Sequence, residues 1–398
     1  MKLRKLHHET SLAGQRVLVR IDANVPIQKG RAVDGPNGRI ARAAVDLDWL
    51  IQRGARVVVM THLGRPGGRR VSAYSVKPIA KRLSSLLGIK VPISSSLVGS
   101  RAERLVSGLK DGQILLLENL RFDAREEKND PEFAQQLARL GDLYVNDAFS
   151  VSHRMHASIS AITKFLPSYA GHLLNNEVTV LSQLEKKAKQ PMVLVMGGVK
   201  VETKLPVMIH LAKQTDYILL GGALANTFLV AEGYAIGKSV YDADGIALIQ
   251  QLPVELSNKI VMPTDVVVAS SLRKDAQIRV AQTANVQAGD RIVDIGPKTR
   301  KRYATFFGKA KTIVWNGPMG YCEIAPFCDG TESIANAMAK RTGQATTIVG
   351  GGDTGPVLER LNVSDRFTLL STGGGAMLAF LSGQVLPGLE PLIMKSYE

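Results

Sequence analysis

A chain of 398 residues with 45% apolar composition and 37 glycines buries a sizeable core, divides into two domains more readily than it forms one, and is not disordered. Two cysteines are too few for a disulfide framework and fit a reducing compartment; no run nears the roughly 20 apolar residues of a membrane span, and the basic start MKLRKLHHETSLAG lacks the apolar stretch of a signal peptide, so a soluble cytoplasmic protein is expected. The formal charge of +15 suits a polyanionic partner, but the basic residues are scattered among strands and helices, which favours a small phosphorylated metabolite over nucleic acid.

Along the N-terminal half, strand-like runs alternate with helical ones. QRVLVRID (15–22) precedes a helix from about Arg39 to Gln52, ARVVVMTH (55–62) precedes one at about 75–87, and QILLLENLRF (113–122), PEFAQQLARL (131–140) and DLYVNDAF (142–149) follow. Apolar runs without strict alternation, separated by helices, predict parallel strands covered on both faces. Residues about 172–189 carry apolar positions at helical spacing and read as an interdomain helix. The rhythm then restarts, with strands expected near 192–197, 217–222, 259–263, 291–295, 312–315, 346–350 and 367–371, and a small antiparallel excursion within 264–290. The expected fold class is α/β: two Rossmann-like three-layer domains with mainly parallel sheets, 1–172 and 190–384, joined by the helix 173–189, with a tail at 385–398.

Each expected N-terminal strand delivers polar residues at its carboxyl end, where an open α/β sheet keeps its binding site. Arg20, Arg39, Arg65, Arg121 and Arg154 lie at strand ends or a helix start. Converging guanidinium forks match an anion carrying carboxylate and phosphate; the alternative for each taken singly is a solvated ion pair. Asp22 and Asn24 stand two apart on an extended segment, placed for a substrate hydroxyl or, alternatively, for an Asx turn. His62 is placed to donate to a substrate oxygen, with a satisfied structural histidine as its rival. His62, His153 and His156 lack the spacing of a helical metal pair and any nearby cysteine, which disfavours zinc.

In the C-terminal half, apolar runs repeatedly end in glycine: VLVMGGVKVETK (193–204), ILLGG (218–222), TIVWNGPMG (312–320), TTIVGGGDTG (346–355) and FTLLSTGGG (367–375). A buried strand opening into glycine before a helix brings backbone N–H groups to a phosphate. Lys200 and Lys204, if a helix begins there, share a face at i,i+4 and reach successive phosphates. Asp353 and Thr354 fall at a helix N-terminus, where the carboxylate takes Mg²⁺ directly or through water. Asn316 and Glu323 flank NGPMGYCE and are placed for ribose or the phosphate chain, and Gly373–Gly375 offers another anion nest. No Walker A loop, no GxSxG nucleophile and no dinucleotide GxGxxG in context is present; phosphoryl transfer requires none of them.

These segments together resemble the phosphoglycerate kinase family over essentially the whole chain. RIDANVP (20–26), NGRI (37–40), THLGRP (61–66), ENLRF (118–122), VNDAF (145–149), HRMHAS (153–158), GGVKVETK (197–204), GGALANTFL (221–229), WNGPMG (315–320), GGGDT (350–354), STGGGA (371–376) and VLPG (385–388) occur in the family's order and spacing. The resemblance implies reversible, Mg²⁺-dependent phosphoryl transfer between ATP and the carboxylate of 3-phosphoglycerate, giving ADP and 1,3-bisphosphoglycerate in glycolysis and gluconeogenesis, by a hinge-bending monomer without membrane or nucleic-acid partners. It assigns Asp22, Asn24, Arg39, His62, Leu63, Gly64, Arg65, Arg121 and Arg154 to the phosphoglycerate side. Lys200, Lys204, Asn316, Glu323, Gly351, Gly352, Asp353 and Thr354 fall to Mg-ATP or Mg-ADP, with Asp353 toward the metal. Arg39 and Lys200, with N–H groups at Gly351, Gly352 and Gly374, would stabilise the migrating phosphoryl group. The tail is expected to return to the N-terminal domain. Val199, Thr203, Cys322 and Ala379 depart from the family's usual residues and bear on the nucleotide pocket and on closure.

Overall fold

The computed structural model describes residues 1–6 and 10–394. The chain divides into two compact units, one of Met1–Ser182 with the segment from Val385 onward, the other Gln183–Gln384.

The first unit is built on strands β1 (Arg16–Ile21), β4 (Arg56–Met60), β5 (Ile93–Ser94), β6 (Ile114–Leu117), β7 (Leu143–Asp147) and β8 (Ser168–Ala170), with a small hairpin of β2 (Ile27–Gln28) and β3 (Arg31–Ala32). The six form one parallel sheet in the order β5-β6-β4-β1-β7-β8. Successive side chains on a strand point to opposite faces, and here both faces are buried. Val17, Val19 and Ile21 enter one core with Val57 and Val59, against the helices Arg39–Gln52 and Lys77–Leu87. Leu18, Val58 and Met60 enter the other, with Phe133 and Leu137 of the helix Pro131–Ala138. The unbroken apolar runs follow from this double burial. Strand order reverses at β1, which lies between β4 and β7, and the crevice at such a switch point is where an open sheet binds ligands.

The tail belongs to this unit. Arg4 N–H donates to the Leu392 carbonyl at 2.7 Å, Gly388 N–H to Ser152 at 2.9 Å, and Asn146 Nδ2 to Gly388 at 3.0 Å. The end of the expected tail, 395–398, lies outside the described residues.

The second unit carries the parallel sheet β11-β10-β9-β15-β16-β17. Its strands are β9 (Met192–Met196), β10 (Tyr217–Leu220), β11 (Ile260–Val261), β15 (Thr312–Asn316), β16 (Thr346–Gly350) and β17 (Leu369–Ser371). Its order reverses at β9, so the carboxyl ends of β9 and β15 flank the crevice. β12 (Asp265–Ala269), β13 (Ile278–Gln282) and β14 (Arg291–Ile295) make a separate antiparallel sheet in the order β13-β12-β14. The expected excursion within 264–290 is therefore present, and it also takes 291–295, which periodicity alone assigns to the main rhythm. β14 finds its partner in β12, and Arg291 and Ile292 stay half-buried. The long helix runs His172–Lys187, and Asp46 and Asp147 accept the Leu173 and Leu174 N–H groups at 3.1 Å at its start. Asp147, at the carboxyl end of β7 where a ligand-facing residue would stand, thus serves this helix.

Candidate active site

In the first unit the candidate side chains collect beyond the ends of β1 and β4. Asp22 is buried; it accepts the Asn24 N–H at 3.0 Å and the Ser150 hydroxyl, and pairs with Arg39 Nη1 at 2.8 Å. The Asx-turn reading of Asp22 is therefore realised, and its second oxygen is what orients Arg39. Arg39 opens its helix after Gly38 and also donates to the Asn24 carbonyl at 3.1 Å. Asn24 Oδ1 accepts the Gly64 N–H at 2.9 Å. Gly64 has φ +62°, and a Cβ there would lie 2.3 Å from the Tyr74 ring, so only glycine fits this turn. Leu63 is held through its backbone by the Asn119 amide, at 3.2 and 2.7 Å.

Four guanidinium groups surround His62. Arg20 is fully buried and its Nη2 lies 3.0 Å from His62 Nδ1. A guanidinium only donates, so Nδ1 accepts and the ring proton sits on Nε2. Burial, followed by the charges of Arg20, Arg121, Arg154 and Arg39, drives the His62 pKa well below the ordinary histidine value. His62 is accordingly a neutral donor at neutral pH. Arg121 is buried; Nη1 donates to the Gly64 carbonyl at 2.7 Å and Nε lies 3.1 Å from the Glu127 carboxylate, while Nη2 is buried with no hydrogen-bond partner among the described residues. A buried guanidinium donor left open in a like-charged group is strong electrostatic demand for an anion. Arg154 is half-buried, its Nε 3.4 Å from His153. Arg65 is exposed and forms no ion pair among the described residues.

Sequence reasoning did not single out the residues that hold this group in place. Glu126 is fully buried and accepts the Ser158 hydroxyl at 2.6 Å and N–H at 3.0 Å, and Ser158 Oγ in turn accepts from Arg20 Nε at 3.1 Å. Burial pushes the Glu126 pKa up, with the Arg20 charge next in size and pulling it back. Glu126 lies in REE, a stretch that reads as solvated helix surface, so the sequence carries no signal for it.

The second unit holds a cavity of about 550 Å³, within the range of small-molecule sites. Its polar wall includes Lys200, Lys204, Asn316, Glu323, Gly352 and Asp353, and its apolar wall Leu229, Val240, Pro263, Leu272 and Leu378. Two helices begin at this wall, Gly351–Arg360 after β16 and Gly374–Leu381 after β17. A Cβ built on Gly374 would meet nothing nearer than Gly352 Cα and N at 3.9 Å, so the two glycine N-termini stand side by side. Backbone N–H groups and the positive dipole ends at these two helix starts suit an anion.

Within GGGDT only part reaches the cavity. Gly352 and Asp353 line it; Gly351 instead packs on the Ser371 carbonyl, 2.6 Å from where its Cβ would be, and Thr354 is buried with its hydroxyl on the Gly350 carbonyl. The lysines also differ from expectation. Lys200 is the N-cap of the helix Val201–His210, with extended backbone, so it does not share a helical face with Lys204. Both still line the cavity, Lys200 exposed and Lys204 buried. Burial lowers the Lys204 pKa, and the Asp353 carboxylate partly offsets this.

Asp294, unremarked in the sequence, forms part of the cavity wall. It accepts the Gly330 N–H at 2.6 Å and the Ile295 N–H at 2.8 Å, and burial pushes its pKa up to about 7. A lone carboxylate inside the apolar run IVDIG was the available signal. Cys322 and Cys328 are joined in a disulfide, against the expectation drawn from their small number: tight turns through 321–328 bring their Cα atoms to 4.4 Å.

Residues 7–384 match the family described as phosphoglycerate kinase. A phosphoglycerate kinase of Moorella thermoacetica is 44% identical over 97% of this chain and 98% of its own length, and one of Chloroflexus aurantiacus is 42% identical over 98% of each. The solved phosphoglycerate kinase of Pyrococcus horikoshii superposes with TM-score 0.87 at 30% identity over 98% of each chain, and that of Coxiella burnetii with 0.81 at 38% over 96% and 97%. Fold and likeness together define a two-unit α/β phosphotransferase. The chain belongs to the phosphoglycerate kinase family.

Proposed function

We propose that the chain catalyses reversible phosphoryl transfer between ATP and the carboxylate of 3-phosphoglycerate, giving ADP and 1,3-bisphosphoglycerate. The observation that carries the reading is the group of Arg20, Arg39, Arg121 and Arg154 around a neutral His62, with Arg121 Nη2 left open. An anion with a phosphate at one end and a carboxylate at the other is what such a basin neutralises. His62 Nε2–H and Asn24 serve its hydroxyl. The cavity of the second unit takes the nucleotide, its apolar wall the base and its paired glycine turns the phosphates, with Lys204 and Lys200 supplying positive charge.

Among the described residues no group of three or more His, Cys, Asp or Glu is arranged to hold a metal ion. A single carboxylate, Asp353, beside a phosphate cradle nevertheless fits Mg²⁺, which keeps waters and takes its other ligands from the nucleotide. The ion bound there would neutralise phosphate charge, and Asp353 would orient it. The acceptor carboxylate is already ionised and requires no general base, so Arg39 and the N–H groups at Gly352 and Gly374 act on the charge of the migrating group. Domain closure brings the two ligands together and excludes water. No helix among the described residues is long and apolar enough to cross a membrane; a cytoplasmic monomer is the setting proposed.

The test is ATP formation from 1,3-bisphosphoglycerate and Mg-ADP by the native chain and by Arg39→Ala. The expected result is turnover that falls at least about a thousandfold in the variant while ligand affinities survive. A folded native chain without turnover sinks the reading.

A further inference from the structure

The only two cysteines of the chain are paired, and they bracket a residue of the cavity wall. Glu323 and Tyr321 line the cavity, and the disulfide spans the stretch from Cys322 to Cys328 that carries Glu323. Both flanks of this loop are fixed by other means. Tyr321 N–H donates to the Val293 carbonyl at 2.9 Å, and Phe327 is fully buried in a core with Val267, Ala269 and Val293. Ile324 also packs on this core and its N–H donates to the Tyr321 carbonyl at 3.1 Å, so the disulfide adds restraint chiefly at Cys322 and the adjoining Glu323, and its loss leaves the surrounding fold standing.

Its two sulfurs are unlike. Cys322 is half-buried and Cys328 fully buried. Cys328 is the N-cap of the helix Asp329–Ala339, and Arg360 Nη2 lies 3.7 Å from its sulfur while also pairing with Glu332 at 2.6 Å. A thiolate at a helix N-terminus beside a guanidinium is a stabilised leaving group, and stabilised leaving groups speed thiol–disulfide exchange.

We propose that Cys322–Cys328 is a thiol–disulfide exchange site through which a dithiol reductant lowers nucleotide affinity. One thiolate of the reductant attacks Cys322 Sγ; the Cys322–Cys328 bond breaks, and its electron pair leaves on Cys328 Sγ, which takes a proton from solvent. The second thiol of the reductant, on losing its proton, closes on the first sulfur and releases Cys322, which is protonated in turn. The dithiol departs as a cyclic disulfide, having given up two electrons. Glu323 then moves on an unclamped loop, and nucleotide binding must order it again. The exchange chemistry stands by itself; its coupling to affinity rests on the nucleotide reading of the cavity.

The experiment uses dithiothreitol on the folded chain, thiol titration, and calorimetry with Mg-ADP in both redox states. The expected result is no free thiol before reduction, two after it, and a Kd for Mg-ADP raised about fivefold. The pair Cys322→Ser with Cys328→Ser, and separately Cys322→Ala should the buried serine impair folding, are expected to show the weaker affinity with or without dithiothreitol. Thiols that appear only on unfolding would overturn the exchange site, and equal Kd values in the two states would overturn the coupling. Absence of Mg-ADP binding in both states would instead sink the nucleotide reading and the coupling with it, with the thiol count still deciding the exchange.

Discussion

The two candidate sites bind anions by opposite means. The first unit uses side chains: guanidinium groups aimed by buried carboxylates and carbonyls, around a histidine kept neutral by their charge. The second uses backbone: two helix N-termini whose glycines stand side by side. A side-chain site fails when a side chain is removed. A backbone site fails when one is added.

The largest effect expected after Arg39 is at Arg121. Arg121→Ala removes the open Nη2 and the bond to the Gly64 carbonyl, and should weaken 3-phosphoglycerate binding by roughly a hundredfold while leaving Mg-ADP affinity unchanged. Calorimetry with each ligand reads this, and equal losses for both would break the contrast. Gly352→Ala is the converse. Nothing lies within 4 Å of a Cβ built there, so thermal stability should hold, while the methyl obstructs the cradle and weakens ATP by roughly tenfold. An unaltered ATP affinity would remove this turn from the site.

Protonation sharpens the comparison further. The folded pKa of Asp294, about 7, lies above the ordinary 3.8, so its contribution to stability is full at low pH and is lost as pH rises through about 7. Melting curves should show Asp294→Asn flattening this fall, which runs from about pH 4 to about pH 7. Of the opposite sign are His153 and His156, which burial above all lowers to about 4 and about 3. Their contribution is full above about 6.5 and lost as pH falls toward those values. The smallest effect is read by NMR: neither ring, nor that of His62, should titrate between pH 8 and 5 in the folded chain.

Much of the fold was legible because the parallel strands are buried on both faces and read as unbroken apolar runs between helices of ordinary length. The strand at 291–295 was assigned to the wrong sheet because its apolar pattern is the same whether its partner is parallel or antiparallel. His62, Arg39 and Arg121 were legible because strand ends and helix starts are where ligands bind. Glu126 and Ser158 were not, since a buried carboxylate and its satisfying hydroxyl carry no mark in sequence until packing removes the water, and Asp294 was marked only by its place in the apolar run IVDIG.

By itself the sequence determined the α/β class, the family, and which ends of which strands carry the chemistry, because periodicity, glycine placement and motif order are local properties of the chain. Only the tertiary structure decided that Lys200 caps a helix while Lys204 is buried, that Gly352 and not Gly351 reaches the cavity, that Asp147 serves a helix start, and that the two cysteines meet. Each depends on burial and on distances between residues remote along the chain or turned by its loops, and desolvation and proximity exist only once the chain has folded.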